Sequence, residues 1–129
     1  VLLNRPTLVD DSAAVFERCA GLDADIFVAW HGLATAYYLL RRGRTEDEAL
    51  SKVDRILAWA HVASVNDTAA RRARTLGFPD FEDALQAVSA ESCGAVVIVT
   101  RNVGDYSRST VEAIDPSEFL KRYPAATSS

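Results

Sequence analysis

Apolar positions along the chain alternate between two spacings, and the switches between them outline the elements. Leu33, Tyr37 and Leu40 fall on one helical stripe, and Ala49, Val53, Ile56, Leu57 and Ala60 fall on another. Between such stretches lie short runs without helical period: Ala24–Ala29, His61–Val65, Ala95–Thr100 and Val111–Ile114. The run Ala95–Thr100 is almost all β-branched or small and has no polar residue before Thr100. That pattern predicts a strand buried on both faces. The stops agree with these bounds. Asp10, Asp11 and Ser12 offer N-caps for a helix over Ala13–Ala20, which Gly21 ends. A helix over His31–Arg42 ends at Gly43. Thr45 followed three residues later by Glu48 is a capping box opening a helix to Trp59. Asn66 or Asp67 caps a helix through Leu76. Pro79 stands where a missing N–H costs little, at the start of a helix to Cys93 that Gly94 closes. Asp115-Pro116 opens a last helix to Tyr123, and Asn4–Thr7 reads as a loop.

Strands alternating with helices predict an α/β domain of three layers, with a mostly parallel sheet flanked by helices. In it, Ala95–Thr100 is an interior strand and Ala24–Val28 runs parallel to it. One domain over residues 1–123 is expected, with 124–129 as a frayed tail. No repeat or low-complexity linker interrupts it.

Bulk composition narrows the function only slightly. The net charge is −4, so any polyanion must meet a local basic patch or a bound cation. Arginines cluster at 41, 42 and 44 and at 71, 72 and 74, most of them expected on solvated helix faces. Cys19 and Cys93 lack metal-ligand spacing and read as small buried residues, with a disulfide as the lesser alternative. His31 and His61 read as structural, and Trp30, Trp59, Tyr37 and Tyr38 as core or interface. No apolar run reaches membrane-spanning length and no signal-peptide pattern opens the chain, so a cytoplasmic location without membrane attachment is the default. The chain contains no methionine and opens on Val1-Leu2-Leu3, which reads as the middle of an element.

The chemistry concentrates in two stretches. Gly77–Ala87 opens a helix with three acids in four positions, Asp80, Glu82 and Asp83. Val99–Tyr106 leaves the buried strand into a loop with Asn102 and Asp105. Ligands of parallel sheets sit outside the carboxyl ends of the strands. If helix and strand are neighbours, Asp80, Asp83, Asn102 and Asp105 converge there as oxygen donors for a hard divalent ion. The plainer reading is that Asp80 caps the helix, the other acids complement its dipole, and Asn102 and Gly104 are turn residues. Asp83 fits that reading least. It borders the apolar stripe of Phe81, Ala84, Leu85 and Val88, where desolvation of an acid is costly.

Phe78-Pro79-Asp80-Phe81-Glu82-Asp83-Ala84-Leu85-Gln86-Ala87, together with Val99-Thr100-Arg101-Asn102 and Asp105-Tyr106, resembles the second half of a PIN domain. The likeness extends to Tyr37–Leu40 and to the closing Pro116–Leu120. PIN domains include metal-dependent ribonucleases, among them the toxins of prokaryotic toxin–antitoxin pairs. The resemblance implies Mg²⁺ or Mn²⁺ held by Asp83 and Asp105, with Asp80 as a ligand or supporting acceptor. Thr100 and Asn102 would position water or phosphate. It also implies an RNA substrate, an antitoxin protein as partner and a homodimer. The family's first strand carries an Asp-x-Asn pattern, and its aspartate is the principal metal ligand. Here Val1–Pro6 resembles the segment after that strand, so about one strand, ~6–10 residues, is expected to have preceded Val1. Without it the neighbouring strands are expected to close a gap or leave edges exposed, and cleavage in Mg²⁺ is expected to be slight. The glutamate that many members carry after the second strand is absent from Leu33–Tyr37.

Two other classes are compatible with these residues. One is a PIN-like module that dimerises or binds a partner without catalysis. The other is a receiver-like signalling domain, which ranks last because the only lysines, Lys52 and Lys121, lie in helices.

Overall fold

The computed structural model describes residues 1–4 and 12–126. The expected loop from Arg5 onward, the caps Asp10 and Asp11 and the last three residues of the tail lie outside the described residues. Pro124–Ala126 carry no regular structure and are exposed.

Among the described residues, five short strands form one parallel sheet: β1 (Leu2–Leu3), β2 (Phe27–Val28), β3 (His61–Val62), β4 (Val97–Val99) and β5 (Glu112–Ile114). Their order is β3-β2-β1-β4-β5. Ala95–Thr100 is thus realised as β4, interior between β1 and β5, and Ala24–Ala29 as β2, parallel to it one strand further away. The expected gap is closed by the chain's own first residues. Leu2 pairs with Phe27 and Ile98, and Leu3 with Val28 and Val99, so β1 stands at the centre of the sheet.

Six helices cover the two faces among the described residues: α1 (Ser12–Gly21), α2 (Trp30–Arg41), α3 (Glu46–Trp59), α4 (Asp67–Thr75), α5 (Phe81–Ser92) and α6 (Pro116–Arg122). The pleat divides the core. Leu3, Val28, Val97, Val99 and Ile114 face α1, α2, α3 and α6, meeting Val15, Cys19, Ala36, Leu40, Ile56 and Phe119. Leu2 and Ile98 face the other way, onto Ala87 and Ala90 of α5 and onto Tyr106. Behind α5 lies α4, joined through Ala73, Ala84 and Val88. The two-residue alternation of side chains along each strand therefore serves two different helical layers.

The helix caps agree closely with the sequence. Thr45 Oγ1 accepts from the Glu48 amide at 3.2 Å, Asn66 Oδ1 from the Ala69 amide at 2.9 Å, and Asp115 Oδ1 from the Glu118 amide at 2.7 Å. Gly77, with φ +74°, supplies the left-handed residue that turns the chain from α4 towards α5. Two expected core positions differ: Phe81 is half exposed at the mouth of α5, and Leu57 is exposed on α3. Buried places on α5 go instead to polar Gln86 and Ser89. Cys19 and Cys93 are both free thiols. Burial raises both thiol pKa values, which keeps them protonated. No described helix is long and apolar enough to cross a membrane.

Candidate functional site

The carboxyl ends of β1 and β4, the start of α5 and a 3₁₀ turn over Val103–Tyr106 meet at one edge of the sheet. Asn4 comes directly after β1 and is buried, with its amide N–H donating to the Val99 carbonyl at 3.1 Å. Its side-chain Nδ2 donates to the Tyr106 hydroxyl at 2.8 Å. That hydroxyl in turn donates to Asp83 Oδ1 at 3.3 Å. Three chain segments, 102 and 23 residues apart in sequence, therefore join on one phenolic oxygen. Phe78 packs edge-on against the Tyr106 ring at 6.2 Å between centroids and holds it in place.

The expected site residues take distinct places around this centre. Asp83 lies at its border, partly buried, as its position beside the apolar stripe requires. Asp80 is the N-cap of α5: its Oδ1 accepts from the Glu82 amide at 2.8 Å and the Asp83 amide at 3.3 Å. Thr100 is fully buried, and its hydroxyl accepts from the Asn102 amide at 3.1 Å, which shapes the loop after β4. Asn102 is exposed, and its carbonyl accepts from the Asp105 amide at 3.0 Å. Asp105 is exposed in the 3₁₀ turn, one residue before Tyr106. Among the described residues, no three His, Cys, Asp or Glu side chains come together as a set that could hold a metal ion.

Three residues at this edge carried little signal in the sequence. Asn4 read as part of a loop, Tyr106 as the end of a motif, and Gln86 as one more position in a helix. Asn4 Oδ1 is buried without a hydrogen-bond partner, as are both polar atoms of the Gln86 side chain. Buried polar groups nearly always find a partner, so three orphaned atoms at one edge mark it as polar space awaiting something. For a hard cation the donor chemistry fits in part: a carboxylate from Asp83 and an unused amide oxygen from Asn4. An ion on so few protein oxygens keeps most of its water.

The arginines are mostly engaged elsewhere. Arg72 makes a two-pronged pair with Glu91, at 2.9 and 3.0 Å, and Arg71 pairs with Asp67 at 3.1 Å. Arg41 and Arg44 fold back onto carbonyls at the end of α2.

Comparison with known proteins decides the family. The model of the PIN domain matches residues 1–104. The chain belongs to the PIN domain family. Two solved structures of similar shape are a chain of VapBC2 from Rickettsia felis, solved bound to a DNA fragment from their promoter, and a chain of VapBC-1 from nontypeable Haemophilus influenzae. The first superposes with a TM-score of 0.70 and the second with 0.68. Each is 16% identical, and each match covers 88% of this chain and 96% of the other. At that identity the likeness concerns the fold. No curated protein is matched by the sequence. Membership in the PIN family removes the receiver-like alternative. It also agrees with the resemblance read from Phe78–Ala87 and Val99–Tyr106, because this PIN domain places both stretches at the carboxyl edge of its sheet.

Proposed function

We propose that this PIN domain is a metal-assisted endoribonuclease, the toxin of a toxin–antitoxin pair. The observation that carries the reading is the junction of Asn4, Tyr106 and Asp83 at the carboxyl edge of a parallel sheet, with Asn4 Oδ1 buried and unpartnered. Asp83 is the carboxylate that holds Mg²⁺ or Mn²⁺, and Asp105 completes the set from the neighbouring turn. When bound, the ion supplies an activated water and stabilises charge on the phosphate. Tyr106 fixes the Asp83 carboxylate through its hydroxyl and keeps the Asn4 oxygen turned away from that hydroxyl. Asp80 acts through the helix end that it caps, and Thr100 and Asn102 act by shaping the loop that carries Asp105. With so few carboxylates, metal affinity is low and Mn²⁺, which tolerates such sites better, is the more effective ion.

The test is gel cleavage of a mixed single-stranded RNA pool in millimolar Mn²⁺, with and without EDTA. Asp83→Asn keeps the side-chain volume and removes the charge, so it should abolish cleavage while leaving the circular dichroism spectrum unchanged. Cleavage that survives both EDTA and Asp83→Asn overturns the metal-nuclease reading.

A second reading is favoured by a different observation, an apolar groove between α2 and α3. In it the domain is a binding module that works through α2 and α3. Trp30, Leu33, Ala34, Tyr37, Leu50 and Val53 line an apolar groove of about 340 Å³ there. Trp30 and Tyr38 are 71% and 72% exposed beside it. An antitoxin segment or a second copy of the chain suits that surface in either reading. Sedimentation of the purified chain, alone and with its antitoxin, separates the two occupants.

A further inference from the structure

Gln86 lies one turn beyond Asp83 on the same face of α5. It is 1% exposed, and neither its Nε2 nor its Oε1 has a hydrogen-bond partner. Its amide does not face apolar packing alone. A Cβ placed on Gly32 would lie 2.9 Å from Gln86 Nε2, so the amide rests against the first turn of α2. That turn begins at Ala29, whose side chain can offer no cap hydrogen bond. A helix start carries partial positive charge and outward-pointing N–H groups. Here the Gln86 amide lies against it with its Nε2 donor nearest to Gly32. The lack of a Cβ at Gly32 is what allows the approach.

The edge of the sheet is therefore polarised. On one side stand acceptors, the Asp83 carboxylate and Asn4 Oδ1. On the other stand the start of α2 and the Gln86 amide, whose Nε2 is a donor. A phosphate group answers the donor side.

We propose that Gln86 and the first turn of α2 form the phosphate-binding half of this site, taking a phosphodiester of single-stranded RNA. The inference rests on the nuclease reading for its substrate, but its own test needs no cleavage. Gln86 is a positioning residue, and in the free protein its amide is held by no hydrogen bond. Rotating towards a ligand breaks no hydrogen bond of its own, and it uncovers the start of α2 at the same time.

The experiment compares the wild type with Gln86→Met and Gln86→Glu by thermal unfolding in EDTA, where cleavage is blocked. Each protein is tested alone, with inorganic phosphate, and with a short single-stranded RNA. Methionine keeps an unbranched shape of similar size and removes two orphaned polar atoms. In ligand-free buffer Gln86→Met should therefore unfold several degrees above the wild type. RNA should raise the melting temperature of the wild type at lower concentration than phosphate does. The shift should be lost in Gln86→Met and in Gln86→Glu, whose charge repels the anion. A Gln86→Met protein that melts lower, or fails to fold, shows a structural amide that caps α2 and overturns the proposal. So does an RNA shift that Gln86→Met retains, or protection of the wild type by phosphate and not by RNA. A wild type that cleaves RNA while Gln86→Met binds it equally well removes this inference and leaves the nuclease reading standing. A wild type that RNA protects through Gln86 but that never cleaves RNA does the reverse.

Discussion

Tyr106→Phe removes a single oxygen and tests the junction on which the site depends. The hydroxyl accepts from Asn4 Nδ2 at 2.8 Å and donates to Asp83 Oδ1 at 3.3 Å. Losing the shorter bond costs about 1 kcal/mol net, and the longer one contributes about 0.5 kcal/mol. The larger effect falls on Asn4. Its Oδ1 already lacks a partner, and the substitution strands Nδ2 as well, in a place that water does not reach. A stranded buried donor costs about 1–3 kcal/mol. The sum is a loss of about 2.5–4.5 kcal/mol, a large share of the stability of a small domain. At about 4 °C per kcal/mol for a chain of this size, the melting temperature should fall by about 10–18 °C. Urea denaturation monitored by circular dichroism measures it, with an unchanged m-value as the check that only stability has moved. The decisive control is Asn4→Leu, which replaces both amide atoms by apolar ones. In that background Tyr106→Phe strands nothing on Asn4 and should cost about 1 kcal/mol or less. Equal costs in the two backgrounds would refute the reasoning, because the hydroxyl would then owe its value to something other than Asn4.

Two further outcomes are expected. Gly32→Ala places a methyl 2.9 Å from Gln86 Nε2 and should destabilise the wild type, whereas in a Gln86→Ala background the same change should stabilise α2 by about 1 kcal/mol, the usual gain of alanine over glycine in a helix; chemical denaturation of the four proteins reads the sign. The Glu91 carboxyl is held below its ordinary value of 4.5, chiefly by its hydrogen bonds to Arg72 and further by Thr110. A depressed carboxyl contributes stability that is present above pH 4.5 and lost as the pH falls through the folded value. The stability difference between wild type and Glu91→Gln should therefore be constant near neutrality and shrink below about pH 4.5, and a difference that grows on acidification would contradict the pairing.

The fold was legible because its signals are local. Thr45, Asn66, Asp80 and Asp115 are side chains whose capping bonds close within three residues, so their neighbours in sequence are also their partners in space. The Val97–Val99 run is buried on both faces, and only a strand inside a covered sheet needs that composition. The centre of the sheet was harder. Leu2–Leu3 is two residues long and has no period, and its role comes entirely from partners 25 and more residues away. The site was legible in outline and not in its contacts. Asp83 stood out because an acid beside an apolar stripe is costly. Asn4, Gln86 and Tyr106 did not stand out, because their distinguishing property is burial without, or around, a hydrogen-bond partner. Burial of a polar side chain depends on the packing of distant elements, and one residue's type does not announce it. Asp80 illustrates the opposite case: a strong local signal whose visible use is the helix cap.

The position of β1 has a consequence for how strand register is kept. β2 and β4 are not paired with each other, and the backbone hydrogen bonds that align one with the other pass through Val1–Asn4, around the strand Leu2–Leu3. A slip of one residue in so short a strand would exchange the faces of the two leucines, since successive side chains point to opposite sides. Leucine on either face is apolar, so hydrophobic pattern alone resists that slip weakly. Asn4 resists it strongly. Shifted by one place, its side chain would leave the Tyr106 hydroxyl and turn towards the apolar layer of α1 and α2. The bond of 2.8 Å between Asn4 and Tyr106 is thus a lock on alignment. It ties the spacing of the two halves of the sheet to the same oxygen that touches Asp83, so an error in strand alignment is also an error at the site.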